Sequence, residues 1–208
     1  MAEPTTLATP STRAERLIDN WVYGGVLAGV MLLGLTPVLT QGWPAAAVLT
    51  FLTLPVYMVH QYEEHDADRF RRFVNLAMAD GRDALTPLAV FVINIFGVWL
   101  PLALCIVLAR GHGVGLGAFA AFLLLVNAAL HLVTALRSRG YNPGLITALV
   151  LFIPLGLAVL AFVWPESTGT QLVAALLLAV ALHAAIMIHM KMRIAATQVM
   201  EGGHNGRI

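Results

Sequence analysis

Residues 86–109 read TPLAVFVINIFGVWLPLALCIVLA, 24 positions without a charged side chain. At about 1.5 Å of rise per residue, such a run is long enough as a helix to cross a hydrocarbon core of about 30 Å. Five further apolar runs fall at 21–41, 43–62, 114–136, 142–164 and 170–190. The whole chain is 59% hydrophobic and 11% charged over 208 residues, against roughly 45–50% apolar content in soluble domains. A soluble chain this short lacks the polar cover for so many leucines, valines and alanines, whereas a lipid-facing surface needs none. The reading is an all-α polytopic membrane bundle of six transmembrane helices. Its parts are a polar N-terminal segment at 1–20, a helical domain at 21–192 and a tail at 193–208. The run from Trp21 exceeds the roughly 7–15 apolar residues of a signal peptide, so it reads as an uncleaved first span.

Six spans place the N-terminus, the 63–85 loop, the 137–140 loop and the C-terminus on one side. Those segments hold eleven of the twelve Lys and Arg residues, with Arg110 alone opposite. That bias predicts that they, and both termini, are cytoplasmic. Trp43 and Trp164 fall where an interfacial aromatic belt lies. Pro55, Pro101 and Pro154 lie inside spans, where each removes a backbone donor and bends the helix. The 66–79 stretch sets Arg69, Arg71 and Arg72 beside Phe70, Phe73, Val74 and Leu76, the pattern of an amphipathic interfacial helix anchoring the loop to anionic lipid.

A formal net charge of +1 gives no ground for a nucleic-acid partner, and the single cysteine, Cys105, excludes an intrachain disulfide or a Cys-rich metal site. Chemistry concentrates in His60-Gln61-Tyr62-Glu63-Glu64-His65, at the basic end of the second span. Positions i, i+3 and i+4 share a helix face, so His60, Glu63 and Glu64 are expected to point together. This suits a divalent metal, and equally a carboxylate pair of which one keeps its proton. The plainer alternative is a set of charges marking the helix exit.

Depth sharpens the choice, because intramembrane polar residues face the bundle interior or a cavity. Measured from the opposite end, His60 and His131 lie about 24–25 Å down, and His183 and Asn94 about 18–20 Å. Asn127 is one turn from His131 on the same face. Four helices thus send His, Glu or Asn to one layer. His183 and His189 differ by about 120° around their helix, so only one is expected at a shared site; His189, beside Lys191 and Arg193, and His65 read as interfacial. Asn142-Pro143 reads as an N-cap followed by a first-turn proline.

The motif His60-x-x-Glu63-Glu64 resembles the signature of the HXXEE family of bacterial membrane proteins. The similarity includes Asn94, the Asn127–His131 pair, the Tyr141-Asn142-Pro143-Gly144 turn and His183. The resemblance implies a bacterial cytoplasmic-membrane protein and a His, Glu and Asn site set; it implies no particular reaction.

Three functional readings follow. In the first, a membrane enzyme uses Zn²⁺ or non-haem Fe²⁺ held by His60, Glu63, Glu64, His131 and His183 on a lipid-like or apolar substrate, with Asn94, Asn127 and Asn142 orienting ligands or substrate. Here Glu64, Glu63 and His60 carry the catalysis. In the second, the carboxylates and a histidine act without metal as an isomerase or cyclase. The positions of Trp43, Trp99 and Trp164 in the outer half weigh against this, because no aromatic cage would then surround the acids. The third is a small transporter or a metal- or lipid-binding protein. The orientation predicts that a single cysteine in the 63–85 loop, in a Cys105→Ser background, is labelled by a membrane-impermeant maleimide only after the cytoplasmic face is opened. Labelling of intact cells from outside would overturn it.

Overall fold

The computed structural model describes residues 11–204. Seven helices account for most of that length, with no strand among the described residues. They are α1 (Arg13–Leu39), α2 (Ala45–His65), α3 (Arg69–Ala79), α4 (Pro87–His112), α5 (Val114–Ser138), α6 (Leu145–Glu166) and α7 (Gly169–His204). All but α3 are long and apolar enough to cross a membrane, as the hydropathy pattern requires. The chain is a multi-pass membrane protein. The bounds differ from the apolar runs mainly at the ends. α1 begins inside the polar N-terminal segment, where Thr12 and Glu15 form a capping box, and α7 continues to His204, within the segment read as a tail.

Large apolar side chains stay exposed along the outer faces of α1, α4, α5, α6 and α7, the arrangement expected when the surrounding solvent is lipid and not water. α2 and α5 are the most buried spans, α1 and α7 the least. The core between α2, α4, α5 and α6 is built from Tyr57, Leu102, Leu123, Leu124 and Phe152. α1 lies along α2, where a Cβ on Gly29 would stand 2.9 Å from the Pro55 carbonyl oxygen and from Met58 Cβ, so the missing side chain lets the two helices touch, while Gly25 leaves room for the Trp99 ring of α4.

The prolines are absorbed locally. Pro101 follows a π-helical turn at Ile95–Trp99, and Pro154 follows another at Ala148–Phe152. Proline has no N–H and crowds the carbonyl four residues back; a widened turn accommodates both faults. Each π turn begins one residue after a polar side chain that belongs to the site, Asn94 and Thr147 respectively.

α3 departs from the lipid-anchor expectation. Its Val74 is buried and its Phe70 and Phe73 pack with Trp21, Val22, Leu85, Val90 and Met190. Its apolar face therefore covers the basic end of the bundle, while Leu76 remains exposed. The arginines are occupied locally: Arg69 pairs with Asp66, Arg71 with Asp68 and Asp83, and Arg72 donates to the Ala67 carbonyl. Such exposed pairs are worth about 0–1 kcal/mol each, so burial of the aromatic face supplies most of what seats this helix.

Candidate metal centre

α2 carries the densest polar stretch, and its helical geometry divides that stretch between two neighbours. His60 is fully buried and Glu64, one turn on, is 6% exposed. Both face the interior, as i and i+4 must. Glu63 does not join them. Its carboxylate accepts hydrogen bonds from Tyr141 Oη at 2.9 Å, Ile146 N at 3.1 Å, Thr147 N at 2.7 Å and Thr147 Oγ1 at 2.5 Å. The expectation that Glu63 and Glu64 point the same way fails here because the first turn of α6 offers unpaired N–H groups and a positive dipole end to the nearer acid. Glu63 is thus a cap supplied by a different helix. The Tyr141 phenol, in the loop before α6, is pushed above the ordinary tyrosine range by burial first and by this carboxylate second.

The two interior histidines are held by the nitrogen farther from Glu64. Thr147 Oγ1 gives its proton to Glu63, so it accepts from His60 Nδ1, 2.8 Å away. Asn142 Nδ2 donates to the His131 carbonyl at 3.0 Å, which orients its Oδ1 to accept from His131 Nδ1 at 2.7 Å. Both rings therefore carry the proton on Nδ1 and present a bare Nε2 to Glu64. His60 Nε2 lies 3.6 Å from Glu64 Oε2, and His131 Nε2 lies 3.7 Å from Glu64 Oε1. His60 Nε2 is buried and has no hydrogen-bond partner.

Three electron-pair donors thus converge within 4.8 Å of one another, a group able to hold a metal ion. Ligand atoms around a tetrahedral ion with bonds of about 2.0–2.1 Å stand about 3.3–3.4 Å apart. The two His–Glu64 distances, each to a different carboxylate oxygen, are a few tenths of an ångström wider, and one donor atom from each of the three residues lies within 4.8 Å of the others. Outer partners that hold Nδ1–H and aim Nε2 are also what metal-binding histidines have. Gly144 makes room for the pair: a Cβ there would meet His131 Cε1 at 2.7 Å and His60 Cε1 at 2.9 Å, and its φ of +95° favours glycine in any case.

Asn142 is consequently not the helix cap that its sequence setting predicts. Gly144 occupies the cap position and α6 starts at Leu145. His65 is not interfacial either. It is 7% exposed, with Nε2 3.2 Å from Glu64 Oε2 and 3.3 Å from Asn94 Nδ2. Behind it runs a chain in which Trp99 Nε1 donates to Gln61 Oε1 and Gln61 Nε2 to Asn94 Oδ1. Asn127 Nδ2 donates to Tyr57 Oη at 2.9 Å and makes no hydrogen bond to His131; its Oδ1 is buried without a partner. His183 stands outside the three-atom group, its Nδ1 donating to the Ala179 carbonyl. It lines the same cavity, while His189 is exposed.

That cavity, about 550 Å³, lies between α2, α3, α4, α5 and α7. Glu64, His65, Asn94, Asn127, His131, Asn142 and His183 form its central polar wall, Thr134, Arg137 and Ser138 add polar groups along α5, and most of the remainder is apolar. Its size falls within the roughly 300–1,000 Å³ of ligand pockets. Aromatic rings lie closer than the sequence implies: Trp21 and Phe70 are each 5.3 Å from His65, and Phe152 is 4.1 Å from His60. Trp99 is no outer-half residue in effect, since it reaches Gln61 and sits 5.7 Å from Trp21.

The model of a family described as a protein of unknown function with HXXEE motif matches residues 51–159, just over half of the chain. No curated protein and no solved structure matches this chain.

The hydrogen-bond roles predict unequal losses in two similar variants. Thr147→Val strands the buried His60 donor and is expected to cost about 1–3 kcal/mol. Tyr141→Phe removes a half-exposed bond to the same carboxylate and is expected to cost less than about 1 kcal/mol. Denaturation of the micelle-bound protein measures both; equal losses would contradict the assigned roles.

Proposed function

The chain belongs to the HXXEE-motif family, a family of unknown function, and from the site it carries we propose that it is a metal-dependent enzyme of the bacterial cytoplasmic membrane acting on an apolar or amphiphilic substrate. The ligands are His60 Nε2, His131 Nε2 and a carboxylate oxygen of Glu64. The observation carrying this reading is that all three are acceptors aimed at one volume, with no donor between His60 and Glu64. A cation resolves that arrangement, and two histidines with one carboxylate suit Zn²⁺ or non-haem Fe²⁺. Thiolates are absent from this group, so nothing in it favours Cu(I).

Held by these residues beside the cavity, such an ion would supply an activated water or a site for oxygen chemistry. The chain's own residues do the rest. Thr147 and Asn142 hold the two imidazoles. His183 presents its unprotonated Nε2 to the cavity and is the candidate base, and Asn127 Oδ1 offers an acceptor to a substrate donor. Glu63 serves the site through Thr147 and not as a ligand. With the basic loops toward the cytoplasm, the site opens at the cytoplasmic leaflet, where lipid delivers an apolar substrate and water is at hand.

A metal-free acid–base reading retains one specific support. His65 stands within hydrogen-bond distance of Glu64, and Trp21, Phe70 and Phe152 line the rings of the cluster. An isomerase that shuttles a proton between an acid and an imidazole would use such surroundings.

Elemental analysis separates the two. Protein purified in neutral detergent, stripped and reloaded is expected to hold one Zn or Fe per chain. His60→Ala and His131→Ala are expected to lose it, and Glu63→Gln to keep it. A folded wild-type protein that takes up no metal, or a His131→Ala protein that retains it, removes the metal-dependent reading.

A further inference from the structure

The cavity has a polarity along its length. One stripe of α5 lines it, from Leu123 through Asn127, Leu130, His131 and Thr134 to Arg137. These 15 residues of helix span about 21 Å. The inner end is apolar. The centre carries the Glu64–His131 group. The outer end, level with the basic loops, carries a guanidinium.

Arg137 differs from most arginines of the chain. Arg69, Arg71 and Arg72 are spent on aspartates or backbone carbonyls, and Arg110 lies over Trp43. Arg137 is exposed, lines the cavity, and among the described residues has no hydrogen bond or ion pair. Thr134, one turn inward, likewise has no partner for its hydroxyl. Among the described residues, Glu64 is the only acid in the lining, and it sits at the centre. Among the described residues of the lining, nothing at the mouth therefore neutralises Arg137 or repels an anion approaching it.

We propose that this site takes a substrate with an anionic head group, phosphate or carboxylate, and an apolar chain. The head lies against Arg137 and Thr134, with the chain running inward toward Leu123. Arg137 is six residues from His131, so the group presented to Glu64 and His131 lies about 9 Å inward of the charge. Guanidinium is the side chain best matched to such oxyanions, through parallel N–H donors. The orientation is that of a lipid in the adjacent leaflet, head at the interface and chain toward the membrane centre. This assignment rests on the enzyme reading above and specifies its substrate class.

Binding to metal-stripped protein in neutral maltoside micelles tests it without reference to the metal, so its failure and that of the metal site are separable. The probe is dodecyl phosphate, counted by native mass spectrometry, with inorganic phosphate and dodecyl glucoside as the comparison arms. Wild type is expected to bind one dodecyl phosphate per chain, in preference to the glucoside. Arg137→Gln is expected to weaken that binding by about tenfold or more. Arg139→Gln, an exposed neighbour outside the lining, is expected to leave it unchanged. Inorganic phosphate is expected to compete only weakly, because it lacks the chain. Equal affinity in Arg137→Gln and wild type, an equal loss in Arg139→Gln, or inorganic phosphate binding as tightly as its dodecyl ester each overturns the proposal.

Discussion

The site turns on an electrostatic mismatch: two imidazole nitrogens with lone pairs and a carboxylate share a buried volume without a donor between His60 and Glu64. An unsatisfied buried polar atom costs about 1–3 kcal/mol, and packing alone would not gather three acceptors. The hydrogen bonds on the far side of each ring prevent an easy escape. Were His60 to place its proton on Nε2, Thr147 would lose its donor; were His131 to do so, Asn142 would face a lone pair with its own carbonyl oxygen. Each ring is therefore locked in the state that creates the mismatch. Outer partners of this kind also fix the ring nitrogens of metal-binding histidines.

The fold serves that lock. The most buried spans, α2 and α5, carry the three donors, while α6 begins at the same level and contributes Thr147 through its first turn. Glu63 ties α2 to that turn, so one residue of the motif builds the helix junction and the next builds the centre. Gly144 lets the chain pass over both imidazoles, where any side chain would displace them. The π turns in α4 and α6 let prolines sit within spans and leave Asn94 and Thr147 at the joints.

Much of this was legible in the sequence, and the failures have physical causes. Hydropathy located the six spans because lipid demands long uncharged helices. Depth and spacing singled out His60, Glu64, His131 and His183. Spacing alone was blind to Glu63, because i+3 and i+4 differ by 100° and only a neighbouring helix end decided between them. His65 looked interfacial because position along a helix says nothing about a covering element, here α3. Trp99 counted as an outer residue by its Cα, but helical side chains lean toward the N-terminus, and its indole reaches Gln61. Tyr57, Gln61 and Thr147 gave no signal, since uncharged polar residues in spans also serve as ordinary packing partners.

X-ray absorption at the metal edge tests the shared centre most directly, on protein reloaded with one Zn²⁺ per chain. The account predicts nitrogen and oxygen neighbours at about 2.0–2.1 Å, with outer-shell scattering from two imidazole rings that falls to one ring in His131→Ala. A spectrum lacking imidazole scattering, or one that His131→Ala leaves unchanged, would contradict it.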